Sequence, residues 1–294
     1  MTDPALTAPP RVFDDTRCAL GEGPLWHPER AQLFWFDILN RRLLTRSAEG
    51  PKHWKFDEHV SAAGWVDADR LLVASETSLS VLNLETGEKD LAAPLERDNP
   101  ATRSNDGRAD PWGGFWIGTM GKRAEPALGA IYRYYRGEVR QLFAPITISN
   151  AISFPPDRRH GYFADTAARK VWRVALSETD GWPRGEPEVF IDFAARDRNP
   201  DGAVFDAEGN FWCAEWGASR VSAYDTRGEP LGHVPIPARH TSCPAFGGQD
   251  LGTLFVTTAR QGLSAAMLEE QPLNGQTFEV KAGVRGQAEH RVIL

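Results

Sequence analysis

Along the whole chain one pattern of apolar and polar positions recurs. A small residue opens a short apolar stretch, a turn rich in Pro, Asp or Gly follows, and a hydrophobic pair, usually aromatic, comes next. The first copies read Glu22-Gly23-Pro24-Leu25-Trp26 then Phe34-Trp35, and Ala63-Gly64-Trp65-Val66 then Leu71-Leu72. The middle copies are Asp106-Gly107-Arg108-Ala109 then Phe115-Trp116, and Asn150-Ala151-Ile152-Ser153-Phe154 then Tyr162-Phe163. The last are Asp201-Gly202-Ala203-Val204-Phe205 then Phe211-Trp212, and Pro244-Ala245-Phe246 then Leu254-Phe255. Successive anchors lie 41 to 51 residues apart, the period of a four-stranded propeller blade and not of a helical repeat. Stretches with one apolar and one polar face, such as Lys170–Arg173 and Arg220–Tyr224, supply third strands. Fainter segments at His53–Phe56, Val139–Leu142 and Pro187–Phe190 read as half-exposed fourth strands. The pattern predicts an all-β fold, a six-bladed β-propeller.

An open ring would leave unpaired strand edges on its first and last blades. Arg11-Val12-Phe13 and Thr277–Val280 are therefore expected to share the last blade and close the ring. Neither a linker, a low-complexity tract nor a composition break divides the sequence, so residues 1–294 are read as one domain. A single helical turn at Ser264–Glu270 decorates a loop. Composition agrees: 10 Trp, 15 Phe and 27 Gly against 3 Met suit strands and tight turns.

Net charge adds exclusions. At −7, with a pI near 5.6, the chain has no Lys/Arg stripe with which to capture nucleic acid or an anionic membrane. The opening Met1-Thr2-Asp3-Pro4 lacks the basic and apolar regions of a secretory leader, and nowhere do eighteen apolar residues run together, so a cytoplasmic location is expected. Cys18, Cys213 and Cys243 form an odd set without a CxxC spacing, which reads as reduced core thiols.

In a propeller, a column of the repeat becomes a ring around the axis. The residue before each small anchor is Glu22, Ala63, Asp106, Asn150, Asp201 and Pro244, so four of six are carboxylate or amide donors. Singly, each has an ordinary explanation as a turn-forming residue. Together, acids and amides converging on one channel repel or stay unsatisfied unless a cation binds them. Oxygen ligands suit one divalent ion among Ca²⁺, Mg²⁺, Mn²⁺, Fe²⁺ and Zn²⁺. His27 is read as a surface turn residue, with histidine ligation the lesser alternative, Ser149 as a turn residue and not a nucleophile, and no G-x-S-x-G elbow is present.

The motifs Gly21-Glu22-Gly23-Pro24-Leu25-Trp26, Arg103-Ser104-Asn105-Asp106-Gly107, Phe115–Met120, Ser149-Asn150 and Pro200-Asp201-Gly202 carry a resemblance. The chain resembles the senescence marker protein/gluconolactonase family, which includes regucalcin and bacterial aldonolactonases, over essentially its whole length. That resemblance implies a central metal channel with the ion on Glu22, Asn150 and Asp201, and Arg103 and Asn105 facing a substrate. By the same matching the inward residue of the third blade is Asn105, although Asp106 occupies the column. It also implies a metal-dependent carboxylic ester hydrolase acting on a small sugar lactone, a pentono- or hexonolactone with a lean towards arabinono- or xylonolactone. Asp201 is then the general base as well as a ligand, with its carboxylate pKa depressed by the cation. Two other readings stand beside it: a non-enzymatic Ca²⁺ or sugar-acid binder, and a phosphotriesterase-like hydrolase. After the Gly-Thr-Met motif, where regucalcin-like members carry acids, this chain has Gly121-Lys122-Arg123-Ala124-Glu125, either a solvated loop or a substrate-facing one.

Overall fold

The structure, a computed structural model, describes residues 9–294. The opening Met1–Pro4, read above as lacking a leader, lies outside the described residues. Six four-stranded antiparallel sheets form the ring. Blade 1 runs through Gly21–His27, Gln32–Asp37, Arg42–Ser47 and Gly50–Lys55; blade 2 starts with Val60–Asp67, blade 3 with Thr102–Ala109, blade 4 with Ser149–Ser153 and blade 5 with Pro200–Phe205. Blade 6 has the order Arg11–Asp14, Thr277–Lys281, Thr253–Ala259, His240–Gly247, so its outermost strand comes from the start of the chain and the other three from the end.

Burial falls from the axis outward. Every residue of Thr102–Ala109 except Arg108 is buried, as is all of Phe115–Gly121, whereas Glu138–Ile146 at the rim is largely exposed. This is why the first two strands of each blade carry near-continuous apolar sequence and the fourth is faint. The aromatic pairs lie in the second strands and interlock adjacent blades. Trp116 meets Phe154 edge-on with centroids 5.3 Å apart, Trp212 meets Phe246 at 5.7 Å, and Trp26 stacks on Phe255 at 5.5 Å. The helix Ala265–Glu270 is one turn and a half, N-capped by the Ser264 side chain. All three cysteines are free and buried.

Two sequence readings need correction. His27 is fully buried, not at the surface: its Nε2 lies 2.9 Å from the Asp67 carbonyl, and its ring packs among Phe34 and Trp65. Ser149 belongs to a buried strand, not a turn, with its hydroxyl against Gly118. In both cases a polar residue next to a Pro or Asn was taken for a turn, whereas the backbone continues its ladder.

Ring closure rests on one short strand, Arg11–Asp14, whose buried Asp14 also receives a hydrogen bond from Arg46 Nε at 2.8 Å. Deleting residues 1–14 bares the edge of Thr277–Lys281. The truncated protein is expected to melt roughly 4–10 °C lower and to self-associate with concentration, as calorimetry and light scattering would show; an unchanged melting temperature would contradict this role.

Candidate functional site

Antiparallel pairing brings the starts of the first strands and the ends of the second strands to one face of the ring. There Leu20, Glu22, Arg103, Asn105, Met120, Lys122, Arg123, Ala124, Ile148, Asn150, Thr166, Asp201, Trp216, His240, Gln261 and Gly262 line a cavity of about 480 Å³. In four blades the first strand shifts register within the same stretch, between Glu22 and Leu25, Ser104 and Gly107, Asn150 and Ser153, and Pro200 and Ala203. Such bulges re-aim side chains, and here they turn polar ones to the axis.

The register settles the third blade's contribution. Ser104 pairs with Thr119 immediately before the bulge, as Pro200 pairs with Glu215 before Asp201, so Asn105 occupies the place of Asp201. Asp106 does not line the cavity; its Oδ2 accepts a 2.7 Å hydrogen bond from the Ile152 amide. The sequence column had included Asp106 because it counted from the glycine, and the bulge moves the count by one.

Glu22 and Asp201, both buried, line the same cavity close enough for each to act on the other's ionisation. Burial first, and then charge on neighbouring acids, pushes Glu22 up to about 8 and Asp201 well above the usual carboxylate range. Both shifts favour the protonated form of each acid in the metal-free protein. This is opposite in direction to the depression expected of Asp201 beside a cation. Arg103 is also buried and is lowered to about 10 by that burial, with the acids Glu22, Glu76 and Asp201 opposing.

A relay of hydrogen bonds fixes the amides. Arg103 Nη1 donates to Asn105 Oδ1 at 2.8 Å, and Asn105 Nδ2 donates to the Ser149 carbonyl at 2.8 Å and to Asn150 Oδ1 at 3.2 Å. Asn150 Nδ2 donates to Thr166 Oγ1 at 2.8 Å, and that hydroxyl donates to the Pro200 carbonyl at 2.7 Å. The amide of Asn150 is thus held with its nitrogen outward and its oxygen, a site with lone pairs to spare, in the cavity.

Among the described residues no three His, Cys, Asp or Glu side chains cluster at metal-ligand spacing. The donor set here is two carboxyls and one amide oxygen. Its chemistry fits a hard divalent cation, because two buried acids that otherwise favour their protonated forms would release protons on binding one.

Sequence reasoning missed Thr166, Trp216, His240 and Gln261. Trp216 and His240 stack with centroids 4.2 Å apart, and His240 Nδ1 lies 2.9 Å from the Gln261 carbonyl. Since a carbonyl only accepts, Nδ1 carries the proton, and burial lowers the ring's pKa and keeps it neutral. A signal was available: Met120, Thr166, Trp216 and Gln261 all fall at or within two residues of the end of a second strand.

Comparison with known proteins identifies the family. The family model described as the SMP-30/Gluconolactonase/LRE-like region matches residues 20–260. A pentonolactonase of Haloferax volcanii is 36% identical over 83% of both chains, and an L-arabinolactonase of Azospirillum brasilense is 34% identical over 95% of this chain and 94% of its own. The crystal structure of a calcium-binding protein, regucalcin, from Agrobacterium tumefaciens superposes with a TM-score of 0.94 at 40% identity, covering 97% of each chain. The chain belongs to the SMP-30/gluconolactonase/LRE-like family.

The carboxyl pair has a consequence for stability. Because the folded-state pKa of Glu22 is raised from 4.5 to about 8, its contribution to stability is whole below pH ~4.5 and is lost as pH rises through about 8. In metal-free protein, Glu22→Gln is expected to raise the melting temperature above that of the parent by a margin that grows from pH 5 to pH 8, reaching roughly 2–6 °C. Scanning calorimetry in chelator checks this; a margin independent of pH would mean that Glu22 is not held protonated.

Proposed function

We propose that the protein hydrolyses a small sugar lactone to its aldonic acid, with one divalent cation held by Glu22, Asn150 and Asp201. The observation that carries this reading is the carboxyl pair facing the same cavity as a fixed amide oxygen and a buried guanidinium. The family and its lactonase members support it. A cavity of about 480 Å³ suits a five- or six-carbon ring, and the relatives that act on a pentonolactone and on L-arabinolactone favour arabinono- or xylonolactone within that range.

When bound, the cation acts as a Lewis acid on the lactone carbonyl and favours the ionised form of its carboxylate ligands. Asp201 is then the general base. It takes a proton from water as the water oxygen adds to the carbonyl carbon, and it returns a proton to the ring oxygen as the acyl C–O bond breaks. The products are a free hydroxyl and a carboxylic acid, which loses its proton to solvent. Arg103 and Asn105 orient the substrate: Arg103 retains donors beyond those spent on Asn105 Oδ1 and the Ser104 carbonyl, and their mutual bond fixes both side chains before substrate arrives. No nucleophilic side chain is required.

The test follows acid release from a panel of pentono- and hexonolactones in a weakly buffered indicator assay. Activity should vanish with chelator and return with a divalent ion, and Asp201→Asn should lower kcat by roughly 10²–10⁴-fold. Loading metal at pH 7 should release a proton, since Glu22 is pushed up to about 8 without it, and Glu22→Gln should reduce that release. A metal-loaded protein that left every lactone at the buffer rate while still binding Ca²⁺ would favour a carrier, and faster turnover of phosphotriesters would favour the phosphotriesterase-like reading.

A further inference from the structure

Two cations follow the second strand of blade 3, and they are not equivalent. The side chain of Arg123 is 89% exposed and that of Lys122 33%. Arg123 is tied back to its own loop, its Nε donating to Glu125 Oε1 and its amide to Glu125 Oε2, both at 2.9 Å. The Ala124 amide donates to the Gly121 carbonyl at 2.8 Å and that of Lys122 to the Ala101 carbonyl at 2.9 Å. The loop is therefore a tight, internally bonded turn whose Lys122, Arg123 and Ala124 all border the cavity, with Lys122 the more buried cation, beside Arg103 and Asn105.

The ammonium of Lys122 is held by an ion pair to Glu76 Oε2. Glu76 stands just beyond the second strand of blade 2, where its Oε1 accepts from the His59 amide at 2.9 Å and lies 2.6 Å from His59 Nδ1. The same carboxylate acts electrostatically on Arg103. Glu76 thus fixes Lys122 by direct pairing and acts on Arg103 through its charge. Around the ring, three blades from blade 3, His240 on blade 6 and its stacked partner Trp216 present an aromatic wall to the same cavity.

We infer that Lys122 is a specificity-determining residue that donates a hydrogen bond to a hydroxyl of the bound lactone, with Glu76 as its positioning residue. This rests on the lactonase reading above. An ammonium has three N–H donors in a rotatable fork-free head. Glu76 takes up one side of it, and the others are available to the cavity. Because Glu76 cancels the charge of Lys122, the pair suits a neutral hydroxyl and not an anionic substituent, which would need an uncompensated cation. The substrate class is then a polyhydroxylated, uncharged lactone, held between the aromatic wall and the Lys122 head.

Kinetics on paired substrates test this. The parent, Lys122→Met, Lys122→Arg and Glu76→Gln are compared on a pentonolactone, on γ-butyrolactone, which has no hydroxyl, and on a glucarolactone, which adds a carboxylate. Lys122→Met keeps the apolar stem and should lose about 10–100-fold in kcat/KM on the pentonolactone, mostly through KM. On γ-butyrolactone its change should stay within about 2-fold. Lys122→Arg should recover part of the loss, and Glu76→Gln should show a smaller loss in the same direction. Equal losses on the hydroxylated and bare lactones, or the largest loss on the glucarolactone, would overturn the hydroxyl-reading role. Should the parent open none of the lactones, the lactonase reading itself falls, an outcome seen before any variant is compared.

Discussion

Two carboxyl groups buried against each other at the axis are the constraint around which the rest of the molecule is arranged. Left in an apolar core, Glu22 and Asp201 would repel, and the protein meets this with protonation or, on the proposed reading, a cation. To bring the two together, neighbouring first strands must approach closely, and each acid is followed by a glycine that permits it. Gly23 has φ +54°, and a Cβ there would lie 2.2 Å from the Ser61 carbonyl oxygen of blade 2. At Gly202 a Cβ would lie 2.2 Å from Cys243 Sγ of blade 6. An alanine at either position would drive adjacent blades apart where the acids converge.

The neighbouring second strands carry other buried acids that have no such tension. Asp37 accepts from the Ala19 and Leu20 amides at 3.1 and 3.3 Å, and its Oδ2 pairs with Arg42 at 2.8 Å. Asp165 takes the Thr147 and Ile148 amides at 2.8 and 3.0 Å, and Glu215 is held by Arg220 Nε at 2.7 Å and the Tyr224 hydroxyl at 2.8 Å. These three close the second strands of blades 1, 4 and 5 and have their lone pairs satisfied by backbone or arginine. Burial alone does not distinguish them from Glu22 and Asp201; the company of donors does. Residues left short of donors, in a cavity, are where chemistry is expected.

How much of this was legible in the sequence follows from the same physics. The blade period could be read because the first and second strands are buried on both faces and so keep a small-then-aromatic signature, whereas the fourth strands, such as Gly50–Lys55 and Glu138–Ile146, face solvent and carry little pattern. Glu22, Asn150 and Asp201 could be placed in one ring because a repeat column maps to one radius. The column misplaced Asp106, since a bulge shifts the count by one without any mark in composition. Trp216 and Glu76 escaped because each stands just past the end of a second strand, and His240 because it opens a first strand, and these positions share no residue type. Lys122 was visible as a departure, but its inward direction depends on Glu76, forty-six positions away in sequence and beside it only after blades 2 and 3 pack.

At the other end of the first strands lies a second feature of the ring. The C-terminal segment crosses the far ends of the first strands: the Gly286 amide donates to the Leu251 carbonyl, Val292 to Trp65 and Ile293 to Gly113, at 2.8, 2.8 and 2.9 Å. Val292 is fully buried against Gly64, and Glu289 forms a partly buried ion pair with Arg108, two residues beyond Asp106. Between that ion pair and the segment a void of only about 20 Å³ remains, close to the smallest space that holds one water. The segment thus covers the ring opposite the cavity that Glu22 and Asp201 line. A channel open at both ends would solvate the carboxyls and lower their tendency to hold a proton or a cation; closing one end keeps the local dielectric low and every interaction at the pair strong. The ring supplies convergence, and the plug beneath it supplies the dryness that gives the convergence its effect.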